Sequence, residues 1–190
     1  MDNLTLETQR LVLRPVEKDD VDVAIEMFTD PDVMTYIGGQ AMTAAEVTEE
    51  MSSYTKRCAE GVIGIWSITL GESAEKLGSV FLLPLPIEDD DTDWSLVTGD
   101  GLPEAKIEIG YSLKKSAWGQ GYASEACKRL LRFAFEETAL SEVVAVIDER
   151  HGASRRILEK SGMVYQGRMR AYGEDNDGYA ITRQQWEGLP

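Results

Sequence analysis

Apolar and polar residues alternate from Ile107 to Leu113, with Ile107, Ile109, Tyr111 and Leu113 on one side and Glu108, Gly110 and Ser112 on the other. A period of two predicts a strand, and its internal glycine marks a place for a bulge. A few residues later the period changes. Ala123, Ala126, Cys127, Leu130, Leu131 and Ala134 recur at helical spacing, which predicts an amphipathic helix. Between the two lies Trp118-Gly119-Gln120-Gly121-Tyr122-Ala123. Glycines let a backbone approach a ligand closely, and the first free N–H groups of a helix, at the positive end of its dipole, favour an anion. A tight connection with no ligand has the same spacing, so the pattern alone leaves both readings open.

The rest of the chain follows the same rules. Residues 10–15 alternate as a half-buried strand does, and Asp19-Asp20 opens a helix over 21–28 that Asp30-Pro31-Asp32 ends. Thr43 and Glu46 form a capping box for a second helix over about 44–60. Strands are predicted at 63–70 and 78–85 around a polar turn at 71–75. Residues 84–105 carry three prolines and an acidic run, and read as a long surface excursion. A β-branched run predicts a strand at 143–147. A helix is predicted over about 152–160, closed by Ser161-Gly162, and a last strand pair at 163–172 and 179–182 around 173–178. Early strands with a later strand–helix–strand–helix unit predict an α/β (α+β) fold. Its central sheet is mixed with helices on both faces, in one domain spanning 1–190.

Composition narrows the class. A chain of 190 residues can bury a core without disulfides or metals. No apolar run approaches the roughly 20 residues that span a bilayer, and Met1-Asp2-Asn3-Leu4 lacks the basic and apolar regions of a secretory signal, so a cytoplasmic protein that does not use a membrane is expected. Cys58, Cys127 and one histidine are too few for a disulfide framework or a Cys/His zinc site, and no metal is expected. A formal charge of −15 argues against nucleic-acid binding, which needs lysines and arginines to neutralise phosphates.

The charge is uneven. Residues 78–105 have no Lys or Arg but contain Glu88, Asp89, Asp90, Asp91, Asp93, Asp100 and Glu104. Lys114, Lys115, Lys128, Arg129, Arg155, Arg156 and Lys160 gather around the glycine turn and the later helix. A basic face of that kind suits a phosphorylated ligand, although solvated helix faces produce the same pattern.

Three segments together resemble the GNAT superfamily of acyl-CoA-dependent N-acetyltransferases, in the branch that contains the Rim-type ribosomal-protein N-terminal acetyltransferases. Leu6-Glu7-Thr8-Gln9-Arg10-Leu11-Val12-Leu13-Arg14-Pro15 is similar to that branch's opening strand. Ile109-Gly110-Tyr111-Ser112-Leu113 leading into the glycine run resembles its acetyl-CoA motif. Ser154 through Met163 resembles its second motif, and the ending Asp177 to Thr182 with Trp186 matches as well. In the family's loop pattern a Gln or Arg comes first, and here Trp118 stands there, while Gly121 and Ala123 keep the two small positions. The second motif departs further. Where the family has an Asn that contacts the pantetheine arm, this chain has His151, and a neutral imidazole cannot offer both the carbonyl and the amino group of an amide.

The resemblance implies a GNAT-like, mostly antiparallel sheet and transfer of an acetyl group from acetyl-CoA, as cosubstrate, to an amine acceptor by direct attack. The acceptor it points to first is the N-terminal α-amine of a protein or peptide. A small-molecule amine (amino acid, polyamine or antibiotic) is the alternative, and a non-catalytic acyl-CoA-binding module is a third reading. A homodimer is compatible with the sequence. The resemblance places Tyr111, Ser112, Leu113, Trp118, Gly119, Gln120, Gly121, Tyr122, Ala123, Ser124 and His151 at the cosubstrate. Glu108 is the candidate base, or else a solvent-facing carboxylate. The N–H groups of 111–113 are the expected oxyanion donors on a bulged strand. Many relatives use a tyrosine in the second-motif helix to protonate the thiolate. Leu158 stands there in this chain, so Ser154 becomes the candidate donor, or else a helix cap. Cys127, on the buried stripe, and Cys58, on an outer helix, have no partner base. Tyr36 either lines the acceptor pocket or packs in the core, and the acidic excursion is expected to flank that pocket and favour a cation.

Overall fold

The structure, a computed structural model, describes residues 4–54, 61–97 and 101–189. The expected end of the second helix, with Cys58, and Asp100 lie outside these residues. Two short antiparallel strands open the chain, β1 (Leu6–Glu7) and β2 (Leu11–Pro15). Helix α1 (Val21–Phe28) follows. Asp30-Pro31-Asp32 ends it as expected and also starts a second short helix, α2 (Pro31–Met34), because Asp30 caps the Asp32 N–H and Pro31 takes the first turn, where its missing N–H costs nothing. Helix α3 (Ala44–Tyr54) begins at the capping box, with Glu46 accepting from the Thr43 N–H at 2.7 Å.

Strands β3 (Gly64–Leu70), β4 (Lys76–Pro84) and β5 (Ile107–Leu113) form an antiparallel meander. Helix α4 (Tyr122–Glu136) then crosses over to β6 (Glu142–Ile147), which lies parallel to β5. Helix α5 (Gly152–Lys160), the hairpin β7 (Val164–Ala171) and β8 (Glu174–Thr182), and the short α6 (Arg183–Glu187) complete the chain. The result is an eight-stranded mixed sheet in the order β1-β2-β3-β4-β5-β6-β8-β7, antiparallel except between β5 and β6. Among the described residues no helix is long and apolar enough to cross a membrane.

Alternation along β4 shows how both faces are covered. Val80 and Leu82 point into the main core with Leu130, Leu131 and Phe133 of α4, while Phe81 and Leu83 join Ala24 of α1 and Val47 and Met51 of α3 on the opposite face. The main core holds Trp66, fully buried, edge-on to Phe133 at 5.6 Å and donating its indole N–H to the Leu4 carbonyl at 2.8 Å.

Two expectations are corrected. Gly110 does not mark a bulge, since β4 and β5 pair in unbroken register from Gly78↔Leu113 to Pro84↔Ile107. The glycine is there because the Phe81 ring lies across it: a Cβ on Gly110 would sit 2.2 Å from Phe81 Cζ. The last hairpin does not turn over 173–178 either. Its turn is Tyr172-Gly173, with φ of 54° and 69°, and Glu174 onward is already strand. Asp and Asn are poor strand residues, but pairing with β7 outweighs their local preference.

Candidate active site

Strands β5 and β6 meet at one register pair, Glu108↔Val144, and beyond it the β6-facing edge of β5 runs on without a strand beside it. The split therefore leaves the β6-facing backbone groups of Tyr111 and Leu113 without a strand beside them, while those of Ser112 point into the β4–β5 ladder opposite Ser79. Leu113 is buried, and Tyr111 and Ser112 are half-buried.

At the end of this strand a 3-10 turn, Lys115–Ala117, leads into the glycine run. Trp118 is 44% exposed, its indole N–H donating back to the Leu113 carbonyl at 2.8 Å. Gly119 and Gly121 have φ of 75° and 81°, left-handed backbone that side chains rarely adopt. Gly121 is the N-cap of α4 and brings no side-chain cap, so the N–H groups of Tyr122, Ala123 and Ser124 in the first turn have no intrahelical acceptor. A Cβ on Gly119 would meet nothing within 4 Å. A bare, glycine-shaped helix start of this kind can accept an anionic group through backbone alone.

Sequence reasoning missed what holds this loop. Arg10, just before β2, donates Nη1 to the Gln120 carbonyl at 3.0 Å, pairs with Glu125 at 2.6 Å and lies 4.7 Å over the Tyr122 ring. Thr8 Oγ1 also donates to Glu125, at 2.6 Å. Burial pushes the Glu125 carboxyl up, but Thr8 and Arg10 overturn this and hold it below the usual range. The first turn of α4 is thus latched to the opening strands. No local spacing signals it, because the partners lie 110 and 115 residues apart.

Across the split, Ser154 on the first turn of α5 is buried, its Oγ 2.8 Å from Tyr111 Oη. No side-chain cap is formed at the start of α5, so the hydroxyl's partner is Tyr111 rather than the helix end. Burial pushes the Tyr111 phenol well above its ordinary value. Leu158 is buried in the main core. His151 is the N-cap residue of α5 and is half-buried, and burial lowers its pKa against the opposing pull of Asp148. Its ring stacks on Tyr36, centroids 4.2 Å apart and planes 10° apart. Tyr36 is 40% exposed, which overturns the core-packing expectation for it.

Glu108 is not a solvent-facing carboxylate. It is only 4% exposed, accepts a hydrogen bond from Tyr172 Oη at 2.6 Å, and also accepts from the Val146 N–H. Burial raises its pKa to about 7, with those two donors pulling the other way. Strand alternation turns it away from Ile107 and Ile109, which pack in the core with α4.

The expected basic face is largely neutralised. Lys114 pairs with Glu75 at 2.9 Å, Lys115 with Asp32, Arg129 with Glu137 at 3.3 Å, and Arg155 with Asp177 at 3.0 Å. Lys128, Arg156 and Lys160 make no ion pair among the described residues. Cys127 is fully buried and its thiol is raised to about 11 by burial, which leaves little thiolate for nucleophilic work.

Residues 10–164 match the family model described as the acetyltransferase (GNAT) domain. The chain is 31% identical over 171 residues to the uncharacterized protein YkkB of Bacillus subtilis, covering 89% of this chain and 90% of that one. It is 27% identical over 191 residues to the FsC-acetyl coenzyme A-N(2)-transacetylase of Aspergillus fumigatus, covering 96% of this chain and 77% of that one. The crystal structure of a GNAT-family acetyltransferase from Bacillus anthracis superposes with a TM-score of 0.74 at 22% identity, over 95% of this chain and 99% of that one. The chain belongs to the GNAT acetyltransferase family. As such it is an acyltransferase of the N-acetyltransferase type.

Proposed function

We propose that this protein moves the acetyl group of acetyl-CoA to a primary amine by direct attack with both substrates bound, and that the amine is first of all the free N-terminus of a peptide or protein. The glycine loop fits the cosubstrate. Its amides face an uncapped helix start, Gly119 and Gly121 keep side chains out of the approach, and the split after Glu108 leaves room for an extended arm along β5. In this reading Trp118 to Ser124 hold the pyrophosphate, and the backbone of 111–113 with His151 borders the pantetheine. Acetyl-CoA supplies the acetyl group and a thiolate leaving group. The Tyr111 and Leu113 amides, which point away from β4, face the negative charge that develops on the acyl oxygen. The paired hydroxyls of Ser154 and Tyr111 donate to the departing sulfur.

Glu108 carries the acceptor assignment. An α-amine with an unperturbed pKa of about 8 lies close to a carboxyl near 7, whereas a lysine at about 10.4 lies far from it. Above pH 7 the carboxylate is ionised and takes the proton that the amine must lose before attack. The motifs shared with the Rim-type branch support the same acceptor. A small-molecule acceptor is the second reading, favoured by the FsC transacetylase, whose similarity runs over 96% of this chain.

Thiol release from acetyl-CoA, measured with a short Ala-starting peptide, spermidine and ribostamycin, separates the readings. The expected result is release with the peptide and one acetyl group on its N-terminus by mass spectrometry. Turnover confined to spermidine or ribostamycin moves the acceptor to small molecules. Saturable acetyl-CoA binding with no turnover on any amine defines a binding module instead.

A further inference from the structure

Glu108 is sealed from solvent, so an amine at the surface of the split has no direct path to it. The hydroxyl that reaches it belongs to Tyr172, 2.6 Å from Oε2, and the Tyr172 ring is itself 36% exposed. Tyr172 stands where the backbone disfavours it. The residue sits at φ 54° in a two-residue hairpin turn, a position that Asn, Asp or Gly fills at lower cost. An aromatic residue kept in that conformation calls for a functional reason. The turn is also fixed from outside: the Tyr172 N–H donates to the Pro86 carbonyl at 3.2 Å, the Gly173 N–H to the Ile87 carbonyl at 3.0 Å, and Arg170 pairs with Glu88 at 2.7 Å. The excursion thus holds the phenol against Glu108 in a residue that is itself part exposed.

We propose that Tyr172 is a proton relay between the acceptor amine and Glu108. The inference rests on the transferase reading above. In the step, an N–H bond of the substrate ammonium breaks as its proton bonds to the Tyr172 oxygen, and the original phenol O–H breaks as its proton bonds to Glu108 Oε2. The phenol is neutral before and after. One proton has moved from ammonium to carboxylate, and the amine lone pair is free to attack. Among the described residues the charged groups at the turn are Arg170, which pairs with Glu88, and Glu174 and Asp175, which also act on Arg170. Burial, the Tyr172 hydroxyl and the Val146 N–H set the proton affinity of Glu108 itself.

Tyr172→Phe keeps the ring and the turn and removes the relay. With acetyl-CoA and the Ala-starting peptide at pH 6.5, kcat should fall about tenfold to hundredfold. The KM for acetyl-CoA should stay within about twofold, and the deficit should close by about pH 9, where an α-amine is already neutral. The double variant Glu108→Gln, Tyr172→Phe should be no slower than Glu108→Gln alone, because both changes interrupt one path. An unchanged kcat, a deficit equal at every pH, or losses that multiply in the double variant would each overturn the relay. The first two outcomes leave the transferase reading standing. No turnover by the unmodified protein on any amine removes that reading, and the relay with it.

Discussion

The two sides of β5 are made from different materials. At its C-terminal end the glycine loop offers backbone N–H groups from six consecutive positions, 119–124, and needs from its own side chains little beyond smallness at Gly119, Gly121 and Ala123. On the other side Glu108 offers one buried carboxyl, and the hydroxyl bound to it comes from a turn 64 residues further on. A contiguous backbone cradle tolerates change around it and breaks when its conformation is blocked. A site assembled from distant side chains keeps its backbone under substitution and loses its chemistry. The cosubstrate side and the acceptor side should therefore fail in different observables.

The largest effect is expected at the loop. Gly121→Glu forces a side chain into left-handed backbone, costing about 1–2 kcal/mol, and brings a carboxylate to a site that must take an anion. Acetyl-CoA affinity measured by calorimetry should fall by at least about a hundredfold. Next comes Glu108→Gln, which cannot accept a proton. At pH 6.5 its kcat on the peptide amine should drop by about thirtyfold to hundredfold, with the loss shrinking as pH rises past the amine's own pKa. An unchanged pH profile would return Glu108 to a structural role.

Stability gives a third, smaller contrast. The folded-state pKa of Glu108 is raised to about 7 from 4.5, so between those values the native protein keeps a proton that the unfolded chain has lost. Unfolding then releases protons, and the Glu108 contribution to stability falls as pH rises from about 4.5 to 7, then levels off. Glutamine does not titrate. Relative to the unmodified protein, Glu108→Gln should gain about 3 kcal/mol between pH 4.5 and pH 8 in urea titrations. A constant difference across that range would mean that Glu108 is not perturbed in the folded state. The smallest effect is expected from Arg10→Ala, which frees Gln120 and Glu125 but leaves both glycines in place. Acetyl-CoA affinity should weaken about fivefold, roughly 1 kcal/mol, and a loss as large as that of Gly121→Glu would mean that Arg10 touches the ligand itself.

What could be read from the sequence divides along the same line. Strand β5 and helix α4 stand where periodicity put them, because a buried stripe repeats locally. The loop was legible for the same reason, since its glycines, its strand and its helix are adjacent in the chain. Glu108 was legible only as a carboxylate on a strand of interest. Its burial depends on β6 and the β7–β8 turn, which no spacing around residue 108 encodes. Tyr172 was hidden because the turn was expected over 173–178, where Asp and Asn suggest a loop and pairing with β7 makes a strand. The Tyr36–His151 stack joins two loops more than a hundred positions apart. The expected basic face is thinned because Glu75, Asp32, Glu137 and Asp177 each bring a counter-charge from elsewhere in the fold.

The claim that the two sides are separable is tested most directly by titrating acetyl-CoA into the unmodified protein, Gly121→Glu and Glu108→Gln in one calorimetric series. Saturable binding to the unmodified protein, matched within about twofold by Glu108→Gln and lost in Gly121→Glu, is the expected result. Normal binding by Gly121→Glu, or its loss in a folded Glu108→Gln, would contradict it.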